Sequence, residues 1–174
     1  MTKSYWLLLV LSLCIWNVQA KSPDQVRSAF LYQMAKFVEF PKSRTVNGLR
    51  FCFFTLDDGP GAVLQATKNL SINDLPIQIL KIENNTNLRE LSERCDISYV
   101  DENHENDILS AWTDTTALDT VTVGESLAFL EGGGVASLVQ EGSKIRLYIN
   151  KQAMNKHNFK VLSRLLAVAK FHPD

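Results

Sequence analysis

A nearly continuous apolar run, LRFCFFT at residues 49–55, is the part of the sequence that most strongly indicates the fold. A polar loop at residues 42–48 precedes it, and the turn DDGPG at residues 57–61 follows it. An apolar run without polar alternation is typical of a strand buried on both faces, as in the parallel sheets of α/β proteins. We therefore predict that residues 49–55 form an inner strand of a sheet with helices on both faces.

Outward from this strand, strands and helices alternate along the chain. The predicted strands lie at residues 76–82, 95–100 and 119–124, and the predicted helices at residues 62–69, 87–94 and 105–112. Such alternation favours parallel pairing through right-handed crossovers. Residues 134–139 and 144–149 flank a turn with Gly142, which indicates an antiparallel hairpin, and a closing helix is predicted over residues 161–169. The predicted fold is an α/β single domain with a mixed, mainly parallel sheet flanked by helices on both faces and a C-terminal antiparallel hairpin.

A long helix is predicted ahead of the first strand. Ser22, Pro23 and Gln25 form a capping box with proline at the first helical position, so the helix should begin there. It should continue to Phe40, because Pro41 disfavours helical geometry in the residue before it. Its apolar face is broad, which indicates either burial in the core or contact with a partner. The residues that we assign to a partner surface are Tyr32, Lys36, Phe37 and Phe40.

Residues 1–20 have the pattern of a secretory signal. Lys3 precedes an apolar run, and Ala20 ends a small-residue cleavage site. The run is short for a transmembrane helix, which needs about 20 apolar residues; an uncleaved anchor is the alternative. We predict cleavage after Ala20 and export of residues 21–174 as one domain, without direct insertion into the membrane.

The charge balance argues against a nucleic-acid partner. The sequence has 18 lysine and arginine residues and 19 aspartate and glutamate residues. Of these only Lys3 precedes residue 21, so the exported domain has 17 basic and 19 acidic residues and a formal net charge of −2. Nucleic-acid-binding proteins usually present a basic face to the phosphates. We therefore predict no nucleic-acid partner.

The sequence lacks the common motifs for catalysis and phosphate binding. No G-x-G-x-x-G or G-x-x-x-x-G-K-[ST] motif follows the first strand, and Ser126 lacks the G-x-S-x-G pattern of hydrolases. The segment DENHEND at residues 101–107 has oxygen ligands at alternate positions, but Asn106 and Trp112 stand where a calcium loop requires Gly and Glu. We interpret this segment as a solvated acidic loop, with a metal site as the alternative. We predict no enzymatic activity and no cofactor.

Two cysteines, Cys52 and Cys95, remain after removal of the signal. An even number of cysteines in an oxidising compartment favours one disulfide. Cys52 lies inside the first predicted strand and Cys95 at the start of the third, so the two could bond if these strands are neighbours. Two buried free thiols are the alternative.

Several segments, in their order and spacing, resemble the YfiR-like family. Residues 29–41, AFLYQMAKFVEFP, are similar to the family's first-helix signature, which is roughly AFLYNFAKFVEWP, with Phe40 where Trp is usual. The resemblance continues through residues 49–54, 76–77, 95–97, 121–125, 132–133, 145–150 and 163–166. It therefore covers essentially the whole exported domain.

The resemblance implies a regulatory role. YfiR-like proteins are periplasmic, and the best-understood role is to repress an inner-membrane diguanylate cyclase of the YfiN type by binding its periplasmic sensor domain. Release of the repressor raises cyclic di-GMP and favours biofilm. The pairing of Cys52 with Cys95 is similar to a family disulfide, whereas a second pair near the hairpin, present in some relatives, is missing here. The implied partner is the periplasmic domain of a membrane sensor, and a homodimer is left open.

A periplasmic solute-binding domain is the alternative function. It would hold a small ligand near Asp57, Asp101 and Glu125, which follow the first, third and fourth predicted strands. Open α/β sheets bind ligands at the carboxyl ends of their strands, which is where these three residues are expected. A hydrolase on the same scaffold is a third class, but no motif favours it.

Overall fold

The structure is a computed structural model that describes residues 21–40, 47–111, 118–157 and 159–173. The predicted secretory signal, residues 1–20, lies outside them. Within the described residues the seven helices are α1 (Pro23–Phe37), α2 (Gly59–Ala66), α3 (Leu88–Arg94), α4 (Glu102–Ala111), α5 (Leu127–Glu131), α6 (Lys151–Lys156) and α7 (Ser163–Leu166). None of these helices is both long enough and apolar enough to cross a bilayer.

Ten strands form two sheets within the described residues. They are β1 (Val38–Glu39), β2 (Leu49–Phe53), β3 (Ser71–Ile72), β4 (Leu75–Lys81), β5 (Ile97–Tyr99), β6 (Val121–Gly124), β7 (Ala136–Glu141), β8 (Lys144–Ile149), β9 (Lys160–Val161) and β10 (Lys170–Phe171). The main sheet has the order β10-β8-β7-β6-β5-β2-β4-β3, and β1 pairs with β9 in a separate antiparallel sheet.

The main sheet is mixed and mostly parallel. Five neighbouring strands of the sheet run parallel to one another, in the order β4, β2, β5, β6 and β7. Strand β8 runs antiparallel to β7 and is the second strand of the predicted hairpin. Helices flank the sheet, so the predicted α/β class, the mainly parallel sheet and the C-terminal hairpin are confirmed.

Strand β2 is buried on both faces, which explains its apolar sequence. Phe51 and Phe53 belong to a core cluster that also contains residues of α1, whereas Cys52 belongs to a second cluster with residues of α3 and α4. Phe54, directly after the strand, belongs to this second cluster as well. Successive side chains of a strand point to opposite faces, so each face of β2 needs its own apolar set.

A disulfide joins Cys52 on β2 to Cys95 just before β5, with a Cα–Cα distance of 5.8 Å. It can form because β2 and β5 are neighbouring parallel strands. In this pair of strands Cys52 lies opposite Ser98. Both cysteine residues are completely buried in the second core cluster. The bridge therefore joins two central strands inside the core.

Helix α1 begins as predicted but ends earlier. The Ser22 side chain accepts a hydrogen bond from the Gln25 backbone N–H at 3.2 Å, and the Gln25 side chain accepts from the Ser22 N–H at 3.0 Å. The predicted end at Phe40 is wrong: the helix stops at Phe37, because the next two residues form β1 and pair with β9. Pairing with a distant segment of the chain decides this end, rather than the proline that follows.

The end of the chain differs most from the sequence-based expectation. The predicted closing helix over residues 161–169 is wrong, because only Ser163–Leu166 is helical. The residues on either side form β9 and β10, of which β10 extends the main sheet beside β8. A short apolar run fits a helix or a strand equally well, and the available sheet edges decide between them.

Candidate functional site

A cleft with a volume of about 410 Å³ lies at the carboxyl ends of β2 and β5. From β2 the chain passes to β4 on one side, and it then returns to β5 on the other side of β2. Open α/β sheets bind ligands at such a switch point, because the two crossover connections leave in opposite directions there and open a crevice. The cleft is bounded by residues from these strand ends and from α1, α2 and the region of α4.

Arg27 reaches into this cleft from α1. The residue is 9% exposed, and its Nη2 lies 3.0 Å from Oε2 of Glu125, directly after β6. Its Nη1 lies 3.6 Å from Asp24, one turn earlier on the same helix face. Its Nε is buried and has no hydrogen-bond acceptor among the described residues. Arg27 thus joins the start of α1 to the end of β6, with part of its hydrogen-bonding capacity unused.

Tyr99 and Glu125 form the floor of the same site. The hydroxyl group of Tyr99, at the end of β5, donates a hydrogen bond to the Glu125 carboxylate. Burial raises the pKa of Tyr99 above its ordinary value, and the nearby charge of Glu125 raises it further, so the hydroxyl keeps its proton. Burial also raises the pKa of Glu125, although the hydrogen bond from Tyr99 and the charge of Arg27 oppose that change.

A buried carboxylate, that of Glu105 on α4, positions Glu125. Glu105 is 4% exposed, and its Oε1 accepts hydrogen bonds from the backbone N–H groups of Glu125 at 2.6 Å and Ser126 at 3.0 Å. Its Oε2 accepts from the Ser126 hydroxyl at 2.5 Å. The interpretation of residues 101–107 as a solvated loop is therefore wrong, because most of this segment is helical and Glu105 faces inward.

The opposite wall of the cleft is aromatic and polar. The ring of His104 stacks on that of Phe54 with a centroid distance of 4.5 Å. Its Nδ1 lies 2.7 Å from Oδ1 of Asp101, which also accepts a hydrogen bond from the Asn103 backbone N–H at 3.1 Å. Both Asp101 and His104 are half-buried. Within the described residues no group of three or more His, Cys, Asp or Glu side chains is suited to a metal ion.

Two of the three predicted ligand residues come together in the cleft. Asp101 and Glu125 both line it, from the ends of β5 and β6. Asp57 does not line it; its exposed carboxylate lies 3.9 Å from Nζ of Lys81. Sequence reasoning missed Arg27 and Glu105, since a charged residue on a predicted amphipathic helix is usually a surface residue.

An apolar groove with a volume of about 460 Å³ lies between α1 and the segment that begins with α7. Its apolar lining includes Val26, Phe30, Phe37, Leu165 and Val168. Val168 is 66% exposed, more than any other large apolar residue of the described chain. Two basic residues, Lys21 and Arg164, also line the groove.

The four predicted partner residues lie in different surroundings. Phe37 lines the groove. Tyr32 and Lys36 lie together elsewhere on α1, where the Tyr32 hydroxyl donates to the Ser71 carbonyl at 2.9 Å and Nζ of Lys36 lies 4.4 Å from the Tyr32 ring centroid. Phe40 is half-buried and packs against the main core cluster.

The family model described as YfiR/HmsC-like matches residues 24–170, which span all of the sheet up to β10 and include the cleft and, apart from Lys21, the groove. The chain belongs to the YfiR/HmsC-like family. The expected resemblance is thereby confirmed over nearly all of the described residues. For this YfiR/HmsC-like protein, the comparison with curated proteins found no match.

The fold of this YfiR/HmsC-like chain is also similar to a solved structure. The crystal structure of a conserved domain protein from Vibrio cholerae O1 biovar eltor matches with a TM-score of 0.53 and 14% sequence identity. The match covers 86% of this chain and 60% of the other, so the chain spans about 60% of the length of that protein. At this identity the likeness concerns the fold alone.

Proposed function

We propose that this protein is a periplasmic regulator that binds the periplasmic domain of an inner-membrane signalling protein. The specific partner that we propose is a diguanylate cyclase, which the protein represses and through which it controls cyclic di-GMP and biofilm formation. Residues 1–20 would direct export, and residues 21–174 would be the working domain. Membership of the YfiR/HmsC-like family supports a regulatory rather than an enzymatic role.

The observation that carries this proposal is the apolar groove between α1 and α7. Most apolar side chains of the described domain are buried, so an apolar groove that remains open to solvent is typical of an interaction site. Val168 gains most from being covered because it is the most exposed of the large apolar residues. An apolar segment of a partner would remove this surface from water.

The basic residues of the groove add a charge preference. Lys21 and Arg164 line it, so a partner segment with acidic residues beside its apolar ones is favoured. Charges at the edge of an interface act mainly on the association rate and on the choice of partner, whereas apolar burial supplies most of the affinity. We therefore propose an apolar segment flanked by acidic residues as the partner's binding element.

The remaining predicted partner residues are proposed as marginal contacts. At 3.6 residues per turn, Lys36 lies about 20° from Ala29 around α1, and Ala29 lines the groove. Tyr32 lies one turn before Lys36, with which it is in contact. We propose that Phe37 contacts the partner directly, and that Tyr32, Lys36 and Phe40 contact it at the margin.

Repression follows if the domain binds one state of the sensor more tightly than the other. A bound protein shifts a two-state equilibrium only by the difference between its affinities for the two states. The cyclase would then spend more time in the state that the regulator prefers, without any chemical step by the regulator.

The test is complementation of a deletion strain with two matched variants. Val168→Asp places a charge in the groove, whereas Leu162→Asp changes the other large apolar residue that is exposed within the described ranges and that does not line the groove. We expect the wild type and Leu162→Asp to restore low cyclic di-GMP, and Val168→Asp to fail despite normal folding and periplasmic abundance. Unchanged cyclic di-GMP after deletion of the gene would contradict the cyclase as partner, and full function of Val168→Asp would contradict the groove.

A further inference from the structure

The cleft at the ends of β2 and β5 carries an excess of negative charge. Four carboxylate side chains line it, from Asp24, Asp58, Asp101 and Glu125. The basic side chains of its described lining are those of Arg27 and His104. Even with a proton on Glu125, whose pKa is raised by burial, the acidic groups outnumber the guanidinium group. A ligand with a positive charge is therefore favoured over an anion.

The charged groups are not arranged for an inorganic cation. No group of three or more potential metal-binding side chains occurs within the described ranges, so the carboxylates surround the cleft rather than converge on one point. The cleft volume of about 410 Å³ is within the range of sites for organic molecules, which is roughly 300–1,000 Å³. Both observations favour an organic cation.

Aromatic rings provide a second feature that favours an ammonium group. Phe54 and His104 are stacked on each other at the wall of the cleft, and Phe53 and Tyr99 also line it. The face of an aromatic ring attracts an ammonium group within about 6 Å of its centroid. The lining of the cleft therefore contains both carboxylates and aromatic rings, the two kinds of group that attract an ammonium ion.

Arg27 indicates that the ligand also carries an oxygen atom. A guanidinium group has five N–H donors, yet among the described residues Arg27 has one contact of hydrogen-bond length to a carboxylate, at 3.0 Å to Glu125. Its distance of 3.6 Å to Asp24 is too long for a hydrogen bond. Its Nε has no acceptor within the described chain although the residue is 91% buried. A buried donor without an acceptor is uncommon in proteins, and an oxygen atom of a ligand in the cleft that Arg27 lines would add an acceptor for its guanidinium group.

The start of α2 adds a further attraction for an oxygen atom. Its N-cap residue, Asp58, makes no capping hydrogen bond and instead accepts one from the Thr55 hydroxyl at 3.1 Å. Gly59 and Gly61, in the first turn of α2, line the cleft. The first N–H groups of a helix attract negatively polarised atoms.

We propose that this cleft binds a small organic ammonium compound that also carries a hydrogen-bond-accepting oxygen. The ammonium group would lie among the carboxylates near the Phe54–His104 wall, and the oxygen would face Arg27 and the start of α2. The site goes beyond the proposed function, because it depends on the cleft alone and holds whether or not the groove binds a partner.

The test is a titration of the exported domain, labelled with ¹⁵N and followed by NMR. The four compounds share one aromatic ring and differ in charge or in the presence of an oxygen atom. Tyramine carries an ammonium group and an oxygen, phenethylamine an ammonium group alone, 4-ethylphenol an oxygen alone, and 3-(4-hydroxyphenyl)propionate a negative charge. We expect shifts of the Gly59 and Gly61 amides with tyramine, with an affinity at least threefold higher than that of phenethylamine and tenfold higher than those of the other two.

Matched variants separate the cleft from unspecific attraction. Asp101→Asn should weaken tyramine binding at least fivefold, whereas Asp107→Asn, at an exposed position of α4, should leave it unchanged. Asp58→Asn, on the other side of the cleft, serves as a second variant if Asp101→Asn lowers the melting temperature. The proposal is overturned if neither amine shifts the cleft amides, if the anionic compound binds as tightly as tyramine, or if the cleft variants and Asp107→Asn behave alike.

Discussion

Arg27 on α1 lies 3.0 Å from the Glu125 carboxylate at the end of β6, and both side chains are largely buried. The same helix turns its other face to the apolar groove through Val26, Phe30 and Phe37. One helix therefore forms a wall of both candidate sites. The ion pair fixes the start of this helix against the carboxyl end of the sheet.

Replacing Arg27 with methionine is expected to destabilise the fold in a pH-dependent way. The change leaves the Glu125 carboxylate buried without its cation, which should lower the free energy of unfolding by about 3–5 kcal/mol at pH 7. The loss should be smaller at pH 5, because burial already raises the pKa of Glu125 and the missing positive charge raises it further. Urea denaturation at both pH values measures the difference.

The double variant Arg27→Met with Glu125→Gln is the control for this ion pair. It should recover much of the stability that Arg27→Met loses at pH 7, because the charge of Glu125 is removed together with that of Arg27. An equal loss at both pH values, with no recovery in the double variant, would show that Arg27 acts through packing alone.

Removing the Glu105 side chain is expected to destabilise the turn between β6 and α5. Glu105→Ala leaves the N–H groups of Glu125 and Ser126 without their acceptor, at a cost of about 2–4 kcal/mol. Thermal unfolding followed by circular dichroism should show a decrease of about 5–15 °C in the melting temperature. Glu102→Ala, an exposed position on α4, should change it by no more than about 2 °C, and equal effects of both variants would refute this role.

The disulfide is expected to be structural and slow to reduce in the native protein. Cys52 and Cys95 are completely buried and 43 residues apart. Loss of the cross-link by Cys52→Ala with Cys95→Ala should lower the free energy of unfolding by about 4 kcal/mol on the chain-entropy model. Thiol labelling in dithiothreitol measures access to the bridge. Labelling of the native protein as fast as in urea would instead indicate an accessible redox switch.

His157 is expected to lower stability in mild acid. Its pKa is lowered from 6.5, first by burial and then by the charge of Lys156, and its Nδ1 accepts the Leu118 backbone N–H at 2.8 Å. Between pH 6.5 and the lower pKa of native His157, the unfolded chain binds a proton that the native protein does not bind, so the free energy of unfolding falls as the pH decreases. His157→Asn retains an acceptor without titrating. It should therefore flatten the stability profile between pH 6.5 and 5, and an unchanged slope would contradict this account.

Much of the fold could be predicted because local and long-range signals agree. The apolar run of β2 reports burial on both faces, and the capping box at Ser22 fixes the start of α1. The segments where prediction failed, near Phe40 and after Val161, are short runs whose structure depends on pairing with distant strands. No local pattern encodes those partners.

The candidate site could be predicted only in part. Asp101 and Glu125 were expected at the cleft because they follow strands, and the carboxyl ends of parallel strands share one edge of the sheet. Glu105 and Arg27 were not expected there, since nothing in an acidic segment or an amphipathic helix distinguishes a buried charged side chain from an exposed one. Their inward orientation appears only when the sheet provides their partners.

The measurement that most directly tests the central claim is photo-crosslinking in living cells from two positions. A photoreactive amino acid replaces Val168 in the groove, or Leu162, which is exposed and apolar but outside it. We predict that position 168 forms an adduct with an inner-membrane protein that has a cytoplasmic cyclase domain, and that position 162 does not. An adduct of similar yield from position 162, or no membrane-protein adduct from position 168, would contradict the account.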